Sequence, residues 1–364
     1  MLYNKYRPKT FSQVVGQEWI VRVLRNSITL DKVPHTLIFE GLRGTGKTTL
    51  ARILSVAVNC KSSTDGDPCL KCDACQNSDK NILEIDAGSS RGVESIEELH
   101  DVLRLRPLKG RFRTVIIDEC HMLTEAAANA ALKLFEEPPK HVILVLCTTG
   151  QTNNPDTKVA KAFKTLRSRC MHFQFSAVDM ADIYTKLDYI CQKEGRKVES
   201  DILKGIARKS KGSIRDAESM LDSALTFSDA PVIMINDVKW LISSEEDKAL
   251  ELLEILSGAR PFESIPLVSK FYEDGTNLFS LASCCVDLAL ECVQISPDKD
   301  SFFTDSQQER LLKVSNMVDT NFLLDIIRSV GTLKSSGFSD GKQELEVILA
   351  ELSYSSSAQP SGVW

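Results

Sequence analysis

Eight consecutive residues constrain this chain more than any others: Gly41-Leu42-Arg43-Gly44-Thr45-Gly46-Lys47-Thr48. Glycines let a backbone curl tightly enough to turn its N–H groups onto phosphate oxygens. In the spacing Gly-x-x-x-x-Gly-Lys-Thr, the lysine reaches the β- and γ-phosphates and the threonine hydroxyl meets Mg²⁺. A helix starting at the lysine adds the positive end of its dipole. A Gly-rich turn can match the same spacing by chance, so context decides. Here His35 to Glu40 is a short apolar run that reads as a buried strand, and Lys47 to Val58 has helical character. Gly41, Gly44, Thr45, Gly46, Lys47, Thr48 and Thr49 are therefore read as binding a nucleoside triphosphate, with Lys47 acting in catalysis.

A second feature fits the first. Thr114 to Ile117 reads as a buried strand, and it ends on Asp118-Glu119. In P-loop enzymes the first carboxylate holds Mg²⁺ and a nearby polar group orients the attacking water. Asp118 is expected to join Thr48 at the metal, and Glu119 to act as the base. An acidic pair after a strand is otherwise usually a solvated loop.

Further strands are expected at Leu83–Ile85 and Val142–Cys147. Helices are expected near Trp19–Ile28, from Val93 through Ile96, Leu99 and Leu103, and over 125–137 before Pro138-Pro139. Alternating strands and helices over about 175 residues imply an α/β fold with a parallel sheet. After Phe175 the strands fade. Residues 180–190, 201–210 and 215–227 read as helices, and nearly everything from 245 to 353 is helical in pattern. Hydrophobic residues make up 43% of the 364 and charged residues 26%, which suits a globular chain of two or three domains. The net charge of -6 excludes a polycation, so contact with nucleic acid would need a local basic surface. No apolar run opens the chain and none is long enough to span a membrane, so a cytoplasmic protein is expected.

Of the 11 cysteines, four fall within residues 60–75, at Cys60, Cys69, Cys72 and Cys75. Four thiolates so close together suit a closed tetrahedral Zn²⁺ site. Such an ion would fold a small polar insertion that cannot bury a core of its own. The alternatives are disulfides, disfavoured in a reducing compartment, or idle thiols. The other cysteines read as core residues.

Taken in order, the motifs resemble those of AAA+ clamp-loader ATPases, most closely the gamma/tau subunit family of bacterial DNA polymerase III. The matching residues are Tyr6-Arg7-Pro8 with Phe11, Val15-Gly16-Gln17, the P-loop, the four cysteines after its helix, and Asp118-Glu119-Cys120-His121-Met122-Leu123. They continue with Leu134-Phe135-Glu136-Glu137-Pro138-Pro139, Thr148-Thr149, Ser168-Arg169-Cys170 and Gly212-Ser213-Ile214-Arg215-Asp216-Ala217. The resemblance implies an ATPase domain over 1–176 with its zinc insertion at 60–75, and a helical lid over 177–242. It implies an all-α collar for oligomerisation over 243–355 and a flexible tail over 356–364.

It also implies roles. Thr149 would sense the γ-phosphate, Arg169 would reach a neighbouring subunit's ATP, and Arg215 would act in cis from the lid. Arg7 and Val15 would lie near the adenine. Ser89, Ser90 and Arg91 precede the Val93 helix, and donors at such a helix start suit DNA phosphates, although a plain N-cap explains them equally. The implied cofactors are ATP, Mg²⁺ and Zn²⁺. The implied partners are delta, delta-prime, further copies of the chain, the sliding clamp and primer–template DNA, with no membrane. The implied activity is ATP-driven clamp loading in DNA replication.

Two departures stand out: Gly150 replaces a frequent Asp, and Gln151–Thr165 is long and polar. The chain reads as the short form of the family, ending soon after the collar. His121 raises the alternative of a DExH helicase or a branch-migration motor. The helical character after 176 and the non-basic stretch 245–353 speak against both. A scaffold that binds ATP without hydrolysing it is the third reading.

Overall fold

The structure is a computed structural model describing residues 1–89, 99, 103, 106–107, 110–150, 170–227, 231–238, 241, 244–258, 260–294, 303, 305–333 and 341–357. The chain divides into two compact units, Met1–Gly195 with Ala207–Ser223 and Arg196–Ile206 with Ala224–Trp364.

The first unit is built on a parallel sheet of β1 (Thr36–Gly41), β2 (Ile82–Asp86), β3 (Arg113–Asp118), β4 (Val142–Thr148) and β5 (Met171–Phe175). The strand order is β2-β3-β4-β1-β5. Successive side chains of a strand point to opposite faces. On one face Leu37, Phe39, Ile116, Ile143, Val145 and Phe173 meet Ile20 and Leu24 of α1 (Glu18–Thr29) and Leu50, Ile53 and Leu54 of α2 (Lys47–Val58). On the other, Ile38, Val115, Ile117, Leu144 and Leu146 meet Ala127, Ala131, Leu134 and Phe135 of α3 (Glu125–Glu136), with Leu99 and Leu103. All seven residues of β4 are buried, as a central parallel strand covered on both faces requires. Thr124 caps α3: its hydroxyl accepts a hydrogen bond from the Ala127 N–H at 3.2 Å.

Two sequence expectations shift. The α1 stripe buries Ile20 and Leu24, whereas Trp19 is 48% exposed and stacks on Phe173 at 5.6 Å. Strand β5 adds to the strands the sequence implies. It is an edge strand with only Phe173 and Phe175 buried, so its pattern is too short and half-exposed to register as an apolar run. Of the helix expected from Val93, only Leu99 and Leu103 fall among the described residues, and both are buried.

Beyond β5 come α4 (Met180–Glu194), α5 (Ser200–Lys209) and α6 (Ile214–Phe227). Gly195 in the left-handed conformation ends α4. Ser213 caps α6, accepting from the Asp216 N–H at 3.3 Å.

In the second unit, Lys197–Val198 and Val232–Ile233 form a short parallel pair. The described residues of this unit also form α7 (Ser244–Ser257), α8 (Ser264–Glu273), α9 (Leu278–Gln294), α10 (Asp305–Met317), α11 (Thr320–Thr332) and α12 (Gly341–Ser357). Their core gathers Leu250, Leu253, Leu281, Leu288, Leu311, Ile326 and Leu349, with Cys285 and Cys292 packed as small apolar side chains. Among the described residues, no helix is long and apolar enough to cross a membrane.

Candidate nucleotide site and cysteine cluster

In a doubly wound sheet, ligands bind outside the carboxyl ends of the strands. The motif residues assemble there. Gly46 takes the left-handed conformation (φ 99°) and α2 starts at the next residue. Lys47 is 6% exposed, and its Nζ donates to the carbonyls of Gly41 and Leu42, each at 2.7 Å. Burial pulls the Lys47 ammonium below its ordinary range, while Cys147, Glu119 and Asp118 pull it back up. Gly41 itself serves close packing, because a Cβ there would overlap the Phe175 carbonyl of β5.

Asp118 ends β3, and its Oδ2 accepts a hydrogen bond from Thr48 Oγ1 at 2.7 Å. A hydroxyl and a carboxylate so placed are the hard oxygen ligands Mg²⁺ takes. Glu119 follows in a left-handed conformation (φ 48°), a strained state for a non-glycine residue that the surrounding fold must hold. Its N–H donates to Asp118 Oδ1 at 3.0 Å. The Nδ1 of His121 lies 3.4 Å from Glu119 Oε2 and 3.2 Å from Thr148 Oγ1. This histidine, which raised the helicase alternative, thus faces its own site.

A cavity of about 360 Å³ joins these groups to the N-terminal segment and the lid helices. Tyr3, Arg7, Pro8, Val14 and Val15 line one side, Gly44 to Leu50 the floor, and Asp86, Asp118 and Glu119 the strand ends. Lys186 of α4 and Ile214, Arg215 and Glu218 of α6 close it. The Arg215 guanidinium lies 5.0 Å from the Tyr3 ring centre. Burial, then Arg52, lowers the Arg7 guanidinium from its ordinary value.

The lid loop touches the P-loop directly. A Cβ on Gly44 (φ 78°) would overlap Ser213 Oγ and approach Arg215 Cβ to 3.2 Å, and the Arg215 N–H points at the Gly44 carbonyl at 3.5 Å. Gly46 faces no such contact; a Cβ there meets only Leu50 at 3.9 Å. Gly46→Ala should therefore cost about 1–2 kcal/mol, for the left-handed backbone alone. Gly44→Ala should add about 1–3 kcal/mol of overpacking to that cost. Urea unfolding of the two variants measures the difference.

Not every expected residue lines this cavity. Thr149 follows β4 by one residue, between the strands that carry the P-loop and Asp118, yet it is not in the wall. Its neighbour Thr148 is buried, with its hydroxyl accepting the Gly150 N–H at 3.1 Å. Arg169, Ser90, Arg91 and the Gln151–Thr165 segment lie outside the described residues. Ser89 is in a turn, its N–H and hydroxyl both donating to the Asp86 carbonyl at 3.2 and 3.1 Å. Sequence reading missed Tyr3, Asp86, Lys186 and Glu218. Asp86 alone left a trace, as the acidic residue ending β2 in register with Asp118.

The four cysteines converge, with their sulfurs all within 4.8 Å of one another. Cys69 and Cys75 Sγ are 3.9 Å apart, and Cys72 and Cys75 Sγ 3.5 Å. A tetrahedron of Zn–S bonds of about 2.3 Å sets its sulfurs about 3.8 Å apart, so the cluster fits that ion. The Cys69 N–H points at Cys60 Sγ and the Cys72 N–H at Cys69 Sγ. The backbone N–H groups of Lys61 and Cys75 hold the Cys72 thiol down to about 6. The insertion is tied back to the core. Asp67 Oδ1 accepts the Phe11 N–H at 2.6 Å, and Arg25 of α1 binds the Asp65 carbonyl at 2.7 Å and pairs with the Asp65 carboxylate.

Comparison with known proteins places this architecture. A family model described as DNA polymerase III, delta subunit, matches residues 16–179. One for the ATPase lid domain of the DNA polymerase III clamp loader subunit matches 182–230. DNA polymerase III subunit gamma of Buchnera aphidicola subsp. Schizaphis graminum is 37% identical over 260 residues, spanning 70% of this chain and 69% of that protein. The chain belongs to the DNA polymerase III gamma/tau family. Subunit tau of Escherichia coli K12 is 35% identical over 303 residues, covering 82% of this gamma/tau-family chain and 46% of tau. Among solved structures, a point variant of RuvB from Thermotoga maritima aligns with a TM-score of 0.50 at 17% identity, covering 84% of this chain and 98% of that one. That likeness concerns the AAA+ fold alone. This gamma/tau-family chain is thus a clamp-loader subunit with an AAA+ nucleotide fold, a lid and a helical region. A DExH helicase is set aside.

Proposed function

We propose that this chain is the ATP-hydrolysing motor subunit of a sliding-clamp loader. The observation that carries the reading is the single cavity in which the Lys47 cradle, the Thr48–Asp118 pair and Arg215 of the lid converge. The triphosphate would lie on the N–H groups of Gly44 to Thr48, with Lys47 Nζ on its β- and γ-oxygens. Mg²⁺, held by Thr48 and Asp118, would neutralise charge as the γ-phosphoryl group transfers. Glu119 takes the proton of the attacking water. Arg215 reads the phosphates in cis, and Thr149 reads the γ-phosphate from the end of β4. The family resemblance assigns Arg169 to a neighbouring subunit's ATP, where a guanidinium would stabilise charge on the transferring phosphoryl group.

The functional division follows residues 1–176, 177–242 and 243–355, the last forming the collar. Zn²⁺ is assigned to Cys60, Cys69, Cys72 and Cys75. Ser89, Ser90 and Arg91 are assigned to DNA phosphates, and cytoplasmic action is proposed. The proposed partners are delta, delta-prime, further copies of the chain, the sliding clamp and primer–template DNA. Steady-state phosphate release by the reconstituted loader tests the scheme. It should rise at least about tenfold when clamp and primed DNA are both added. Equal turnover with and without them would sink the motor reading and favour a scaffold.

A further inference from the structure

The wall of the nucleotide cavity holds a carboxyl oxygen with no hydrogen-bond partner. Glu218 of α6 is 4% exposed, lines the cavity, and its Oε1 makes no hydrogen bond. Two positive charges on other segments act on it, Lys186 of α4 and Arg7 near the N-terminus. Neither satisfies the oxygen, and Lys186 Nζ instead donates to the Tyr6 carbonyl at 3.3 Å. Burial pushes the Glu218 carboxyl up to about 7, against the pull of Lys186 and Arg7. A buried acceptor left unpaired is costly, so the arrangement favours a ligand that brings an N–H to it.

The two cations that act on this oxygen say which part of a ligand it meets. Arg7, Val14, Val15 and Lys186 also line an adjoining cavity of about 590 Å³ that contains no P-loop residue. They therefore mark the end away from Lys47. With its phosphates on Gly44 to Thr48, a nucleotide sends its base toward that end. Adenine carries an exocyclic amino group, a hydrogen-bond donor. Guanine carries a keto oxygen at the same ring position, which would set acceptor against acceptor.

We infer that Glu218 determines base specificity, its Oε1 accepting a hydrogen bond from the adenine amino group and turning away the guanine keto oxygen. The inference rests on the triphosphate-site reading above.

Equilibrium binding of ATP, GTP and dATP to the full chain tests it, in the wild type, Glu218→Gln and Glu218→Leu. The wild type should favour ATP over GTP by at least about tenfold, or about 1.4 kcal/mol. Glu218→Gln keeps the shape and adds an N–H donor, so it should shift the ATP:GTP ratio toward GTP by about tenfold. Glu218→Leu should weaken ATP by about tenfold and leave GTP nearly unchanged. An unchanged ATP:GTP ratio in Glu218→Gln overturns the inference, whatever Glu218→Leu does. So does a change confined to the ATP:dATP ratio, which would assign the carboxyl to the sugar. If the wild type binds ATP tightly and only the ratios fail to move, the inference falls alone. If it binds neither nucleotide, the triphosphate-site reading falls as well.

Discussion

Lys47→Ala is expected to lose nucleotide affinity by about a hundredfold or more and to reduce turnover to background. Two charge-assisted hydrogen bonds to phosphate, at about 1.5–3 kcal/mol each, set that scale. The buried ammonium is pre-positioned by the carbonyls of Gly41 and Leu42, at the start of the loop it serves. It therefore gives up little conformational freedom when phosphate arrives, and alanine forfeits nearly the whole interaction. The hydrophobic faces that hold the sheet do not include Lys47. Far-UV circular dichroism and the thermal midpoint should stay close to wild type, and the variant should still assemble. Hydrolysis at the wild-type rate by Lys47→Ala would remove the P-loop from the mechanism.

The parts of this site that the sequence made legible are those whose chemistry is local. The P-loop must be contiguous, because neighbouring N–H groups have to surround one phosphate, and α2 runs over Lys47–Val58 as its pattern implies. The cysteines are legible because four residues that could hold one ion within one short insertion leave a spacing. Glu218 and Lys186 left no such mark. They sit on separate helices, each at a position that reads as an ordinary polar face. Only the packing of α4 and α6 in the first unit brings them to one cavity wall. Gly44 shows an intermediate case. The motif explains a glycine there, but not that Ser213 of the lid loop occupies the space a Cβ needs. Strand β5 escaped because an edge strand buries every second residue over only five positions.

With Zn²⁺ assigned to the cysteine cluster as proposed, chelation should also have a large effect, reaching beyond the insertion itself. Residues 60–76 hold little apolar core: Ala74 and Cys75 are its buried hydrophobic residues. Without an ion the four sulfurs take up protons and lose the bonds that would hold them together, and a structural zinc site supplies the folding free energy such a segment lacks. A chelator, or Cys72→Ser, should expose the amides of 60–76 to exchange and lower the thermal midpoint by roughly 5–10 °C, the shift expected for a loss of about 2–3 kcal/mol. The change should then reach the nucleotide cavity. Asp67, inside the insertion, accepts hydrogen bonds from the Phe11 and Ser12 N–H groups at 2.6 and 3.3 Å. That turn sits between Arg7 and Val14, both in the cavity wall. Loosening it should weaken ATP binding by about tenfold, the loss of about 1.4 kcal/mol of positioning. Asp67→Ala separates the two effects: it should keep the ion and the slow amide exchange of the cysteine loop, yet weaken ATP to a similar extent. Protein prepared with ample zinc that contains no bound metal, and that binds ATP equally well before and after chelation, would break both links.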